Sequence, residues 1–142
     1  MSHYTTIQVQ WTDPEAILDA LAEYLTLPSR DAARYDPAGI PIRNFQGRLT
    51  GEAPDCEIVV GREHLGALRG DLGVKREADG KWVLHVDWYN WPKKQEQVIR
   101  ELSQLYGYHK AKRLAEEAGY KVKKVTQEGG KIRLVLGRKV RA

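Results

Sequence analysis

The sequence predicts an α+β fold, an antiparallel sheet with two main helices packed on one face, in the order β-α-β-β-β-α-β-β. Three observations carry that reading. Residues 4–11 and 81–88 alternate apolar and polar side chains, the two-residue period of a strand with one face in a core. Residues 91–119 instead repeat apolar side chains every three or four positions, the period of one helix face. Residues 120–127 and 131–138 then alternate again around Glu128-Gly129-Gly130, the pattern of a hairpin. With 142 residues, a single domain spanning 1–142 can bury about 70% of its unfolded surface and needs no covalent staples.

Taken in order, the first strand sets Thr5, Ile7, Val9 and Trp11 on one face. A helix then starts: Asp13 can cap it, Pro14 suits its first turn, and Glu15 suits the positive end of its dipole. Ile17, Leu18, Leu21, Ala22 and Leu25 make its buried side, and Pro28 stops it. Residues 28–56 hold four of the six prolines together with Gly39, Gly47 and Gly51. This reads as a long, mostly irregular segment with a short strand near 42–49, and a loop of that length is either a binding element or partly disordered. Residues 57–61 form a strand, and Gly66, Gly70 and Gly73 mark a loop. Asp79-Gly80 then joins strands 72–76 and 81–87, with Trp82, Leu84, Val86 and Trp88 on the helix side and Val83, His85 and Asp87 on the other. In the last helix Pro92 fits the first turn, Gly119 the terminating residue, and Val98, Leu102, Leu105, Tyr108, Ala111, Ala115 and Ala118 the apolar stripe.

Charge is unevenly spread. Residues 107–142 carry eleven Lys and Arg against three Glu, a net +8, although the whole chain is only +4, so the remainder is −4. Such asymmetry marks a surface for nucleic acid or for an acidic protein partner; the plain alternative is an exposed hairpin face that must carry something polar. The candidate contacts are Lys121, Lys123, Lys124, Lys131 and Arg133 on the hairpin, Arg30, Arg34, Arg43 and Arg48 on the long segment, and Tyr89 and Trp91 where a strand ends. Trp82 and Trp88 fall on the helix side and read as core.

Catalytic patterns are missing from the sequence. The glycines of 66–73 match neither a dinucleotide fingerprint nor a phosphate loop, and Gly130-Lys131 leads into a strand. His3, His64, His85, His109 and Cys56 lack the spacing of metal ligands, so no metal or cofactor is expected. Cys56 reads as a buried structural thiol, and as the single cysteine it excludes an internal disulfide and fits a reducing compartment. No apolar run approaches a membrane helix and the N-terminus has no secretory pattern, so a cytoplasmic location is expected.

The opening Met-Ser-His-Tyr-Thr-Thr-Ile, the run from Asp71 to Arg76, the hairpin from Asp79 to Asp87, and the stretch from Gln104 to Lys110 followed by Ala118-Gly-Tyr form one pattern. It resembles the small plastid, cyanobacterial and bacterial reading-frame family of unknown function that begins Met-Ser-His-Phe, over nearly the whole chain, with 28–56 departing. That resemblance implies an architecture and no catalytic residues. In size, basic tail and α+β pattern the chain also resembles a small phage regulator that binds the RNA polymerase of a thermophilic host. The expectation is therefore a non-enzymatic regulator that docks on a larger protein machine, with host RNA polymerase as the best single candidate. One alternative is a nucleic-acid-binding module using the basic hairpin, and another is an enzyme with an unrecognised site among Asp87, His85 and Cys56.

Overall fold

Strands separated by up to about half the chain meet in one antiparallel sheet: β1 (Tyr4–Gln8), β2 (Ala33–Ile40), β3 (Cys56–Val60), β4 (Leu72–Arg76) and β5 (Trp82–Asp87), in the order β1-β5-β4-β3-β2. Two helices, α1 (Pro14–Tyr24) and α2 (Gln95–Glu117), and a separate two-stranded hairpin, β6 (Tyr120–Thr126) with β7 (Ile132–Lys139), complete the fold. The computed structural model describes residues 4–66, 69–89, 91–126, 129 and 131–139, with 138 and 139 as backbone only. His3, Glu128 and Gly130, singled out from the sequence, lie outside these.

The α+β class and the helices on one face of an antiparallel sheet hold. On that face Ile58, Val60, Leu72, Val74, Trp82, Leu84 and Val86 pack with Ile17 and Leu21 of α1 and Leu102 and Tyr106 of α2 in one core. α1 begins as its sequence dictates: Asp13 accepts from the Glu15 N–H at 3.0 Å and Pro14 occupies the first turn. The two helices are clamped by Tyr106, whose ring stacks on Trp11 at 5.6 Å. Its hydroxyl accepts from the backbone N–H groups of Thr12 at 2.8 Å and Asp13 at 3.0 Å.

Four details differ from the expectation. The order contains one strand more, because β2 lies inside the proline-rich segment. Ala33, Arg34 and Tyr35 pair with Val60, Val59 and Ile58, and a register shift before the Ile40–Cys56 pair accommodates Pro37 and Gly39 at the sheet edge. Of its residues only Ala33 is buried, so no alternation marks the strand in sequence. The stretch expected as a short strand at 42–49 is an isolated bridge between Arg43 and Leu49. Pro92 is not in the first turn of α2, which begins at Gln95 with Lys94 as an N-cap that makes no side-chain bond. The chain before it is held instead by a turn, Trp91 N–H to the Trp88 carbonyl at 3.1 Å, and by the edge-on Trp88–Trp91 pair. The apolar stripe of α2 is also split between two neighbours: Leu102 and Tyr106 are buried in the core with the sheet and α1, Tyr108 is buried toward the hairpin, and Ala118 is exposed.

The second face of the sheet is covered too. Residues 41–55 return across it as a strap, setting Ile42 and Ala53 on Cys56 and Val59, with Tyr4 and Ile40 at the margin. Gly73 permits this approach: a methyl group there would lie 2.6 Å from Cys56 Sγ and 2.8 Å from Ile42 Cδ1. Among the described residues no helix is long and apolar enough to cross a membrane.

Candidate functional site

The hairpin has two unlike faces. Its register places Val122, Lys124 and Thr126 opposite Leu136, Leu134 and Ile132 on one face, and Lys123 and Val125 opposite Val135 and Arg133 on the other. The first face turns to α2, where Ile132 and Leu134 join Gln104, Gly107, Tyr108 and Lys131 around a groove of about 400 Å³. Lys124 belongs to this inner side. It donates to Glu23 of α1, and its ammonium lies 5.1 Å from the centroid of the Tyr108 ring. Glu23 also meets His109 at 2.9 Å. Burial works to raise the Glu23 carboxyl, but the hydrogen bonds from Lys124 and His109 outweigh it and hold the group below its usual range.

The outer face is different. Lys121, Lys123 and Arg133 are exposed beside Val125 and Val135, and Lys131 is exposed at the start of β7. None of these four cations has an ion-pair partner among the described residues. The face therefore presents positive charge around two valines, with no ion pair to neutralise it among the described residues.

A second group of candidates sits on the strap at the opposite side of the sheet. Here the organising residue is Asp71, fully buried and missed in sequence. Its carboxylate accepts from the Arg43 N–H at 2.9 Å, Arg43 Nε at 3.0 Å, Arg43 Nη2 at 3.0 Å and the Arg62 N–H at 2.7 Å. The Tyr4 hydroxyl lies 2.8 Å from the carbonyls of both Arg43 and Asp71 and donates its one proton between them. Above this anchor the 43–49 loop is closed by the Asn44 side chain, which accepts from the N–H groups of Gln46 at 2.9 Å and Arg48 at 3.1 Å. Arg62 Nη2 donates to the Phe45 carbonyl at 2.6 Å, and the Phe45 ring meets Tyr89 at 5.7 Å.

The structure thus sorts the expected contacts. Among the described residues Arg34 and Arg48 are exposed with no side-chain partner, Tyr89 is half-exposed against Phe45, and Lys121, Lys123, Lys131 and Arg133 are exposed on the hairpin without an ion-pair partner. Arg30 is tied to Asp19 at 2.7 Å and to Glu15, and Arg43 to Asp71 and Glu63. Trp91 is half-buried between Trp88 and the guanidinium of Arg69, and Lys124 is turned inward. Strap and hairpin are not brought together, since the sheet and both helices lie between them.

Cys56, His85 and Asp87 are all buried on the second face of the sheet, and none of them lines a described cavity. Burial pushes the Cys56 thiol up to about 12, which keeps it protonated and a poor nucleophile. His85 Nδ1 lies 3.3 Å from Thr6 Oγ1, and its Nε2 has no partner among the described residues. Among the described residues no three of His, Cys, Asp and Glu gather as metal ligands would.

Two residues that matter to these surfaces had contrasting signals in sequence. Asp71 looks like any loop acid beside a glycine, and only partners 28 and 9 positions away reveal its place. Gly107 did carry a signal, a glycine in the middle of a 23-residue helix, and it forms part of the groove under the hairpin.

Comparison with known proteins adds a family and nothing finer. No curated protein and no solved structure matches the chain. A family model described as a protein of unknown function, DUF1257, matches residues 33–135, from β2 into the first half of β7. The match takes in the strap, Asp71 and most of the hairpin, and leaves β1 and α1 outside. It also runs through most of the 28–56 segment that was expected to depart from the family resemblance. The match covers well over half of the sequence, and the chain belongs to the DUF1257 family, proteins of unknown function.

Proposed function

We propose that this protein is a non-enzymatic binding protein that docks on an acidic surface of a larger protein through the outer face of its β6–β7 hairpin. The observation that carries the proposal is the set of exposed cations, Lys121, Lys123 and Arg133 beside Val125 and Val135 with Lys131 at the start of β7, none of which has an ion-pair partner among the described residues. Apolar groups within a charged surround suit a protein interface, and the charge speeds encounter with an acidic partner at low salt. The finer reading, a phage regulator acting on a host RNA polymerase, rests on the sequence resemblance; an RNA polymerase is the first partner to try.

Nucleic acid is the second reading, favoured by the same cations. Against it, the outer face carries no aromatic ring among the described residues, and single-stranded nucleic acid is held by stacking as well as charge. Affinity capture of lysate proteins and of purified RNA polymerase on the immobilised protein, at low and at high salt, tests the first reading. Retention of a large acidic partner at low salt and its release at high salt are expected; retention of nothing at low salt overturns the proposal. A gel shift on single- and double-stranded DNA and RNA that is positive at low salt, with affinity falling linearly in log–log against salt, moves the assignment to nucleic acid.

A further inference from the structure

We infer that the groove between α2 and the hairpin receives an apolar side chain of an acidic partner segment, with a neighbouring carboxylate of that segment held by Lys131. The starting point is Gly107. Glycine in a helix interior loses more conformational freedom on folding than alanine and is destabilising there. A packed neighbour usually explains such a glycine, yet a methyl group at Gly107 would meet nothing within 4 Å. Nor does it adopt the left-handed backbone that glycine serves elsewhere in this chain, as at Gly119 with φ 92°. Neither packing nor backbone geometry requires glycine at this position. What it provides is depth, because the helix backbone itself becomes the floor of the groove.

The groove is shaped for a stretch of chain. It is open rather than enclosed, with Tyr108, Ile132 and Leu134 as apolar walls, Gln104 as a hydrogen-bonding group at one end and Lys131 beside them. Past Gln104 and Ile132 it continues into a second recess of about 300 Å³ that includes Tyr24, Leu105, Lys124 and Thr126. The two acids of that recess are already engaged, Glu23 by Lys124 and His109, and Glu101 by Lys93 at 2.9 Å and Tyr24 at 2.7 Å. Lys131 has no such partner among the described residues. Toward the other end, Leu114 lies seven positions, two turns, beyond Gly107 on α2, and Leu136 follows Leu134 on the inner face of β7; they are 58% and 51% exposed. An apolar run flanked by unpaired positive charge fits a segment that alternates apolar and acidic residues. The inference deepens the hairpin-docking proposal and rests on it for the partner being an acidic protein.

The test uses the full chain and two fluorescent probes of equal length, a peptide alternating Asp and Leu and a peptide of Asp alone, read by anisotropy and by methyl NMR. Binding of the Asp–Leu peptide to the unaltered protein is expected, with shifts at the methyls of Ile132 and Leu134. Gly107→Leu, which fills the groove, is expected to weaken that peptide by at least about tenfold, and Lys131→Glu to weaken it in the same direction. Gly107→Ala and Gly107→Leu are both expected to unfold at the same or a higher temperature, since each residue favours a helix over glycine, so lost binding is not lost folding. Failure of the Asp–Leu peptide to bind, or equal binding to Gly107→Leu, overturns the groove. The Asp-only peptide reports the outer face separately: its loss in the combined Lys121→Glu, Lys123→Glu, Arg133→Glu variant is expected. Retention of that peptide in the combined variant counts against hairpin docking while leaving the groove standing on the Asp–Leu result.

Discussion

Asp71 shows how one side chain turns a proline-rich segment into a fixed part of the fold. A fully buried carboxylate is tolerable only when its lone pairs are met, and here four donors from Arg43 and Arg62 meet them. Asp71→Ala leaves the buried N–H groups of Arg43 and Arg62 without their acceptor, and a loss of about 3 kcal/mol is expected in urea denaturation. His85 acts through pH. Burial holds its folded pKa below the usual 6.5, so below that pH the unfolded chain takes up a proton that the folded one resists. The stability contributed by neutral His85 is complete above about pH 6.5 and falls as the pH drops toward the folded value. Denaturation measured across that window is expected to show a decline that His85→Gln flattens; an unchanged decline in the variant contradicts the assignment. Neither role was legible in sequence. Alternation places His85 and Asp87 on the face away from the helices, but it cannot tell that the strap closes over that face.

Among the elements, those governed by local rules were legible and those governed by distant pairing were not. Asp13 and Pro14 start α1, Asp79-Gly80 turns β4 into β5, and Gly119 ends α2, each for a reason contained in a few residues. β2 escaped because its side chains are mostly exposed and it exists by pairing with β3. The stripe of α2 was assigned to one face, whereas Tyr106 and Tyr108 are buried toward different neighbours. The cations of the hairpin were legible as a set, but the division between Lys124 and its exposed neighbours depends on strand register. That register makes the Glu23–Lys124 contact a tether between α1 and β6. Glu23→Gln is expected to speed amide exchange in β6 and β7 while leaving β3 to β5 unchanged. Because the folded pKa of Glu23 lies below its ordinary 4.5, the tether is complete above that pH and is lost as pH falls through the folded value. Exchange rates in the hairpin that do not respond to Glu23→Gln, or to acidification through this range, contradict the tether.

At the scale of the molecule, the fold is a stack: strap, five-stranded sheet, two helices, and the hairpin beyond them. The sheet and helices are explained by apolar burial. The strap is explained by its cover over Cys56 and Val59 and by Asp71. The outer face of the hairpin is explained by neither, since its valines belong to neither apolar core and its cations have no ion-pair partner among the described residues. The +8 charge of residues 107–142, against −4 for the rest, favours the approach of an acidic protein to this part of the chain. The most direct measurement is partner capture at low salt by the unaltered protein and by the folded Lys121→Glu, Lys123→Glu, Arg133→Glu variant, side by side. Capture of a large acidic protein by the first and a loss of at least about tenfold in the second is expected, the size set by reversing three contacts at an interface. Equal capture by both proteins would contradict docking through the hairpin.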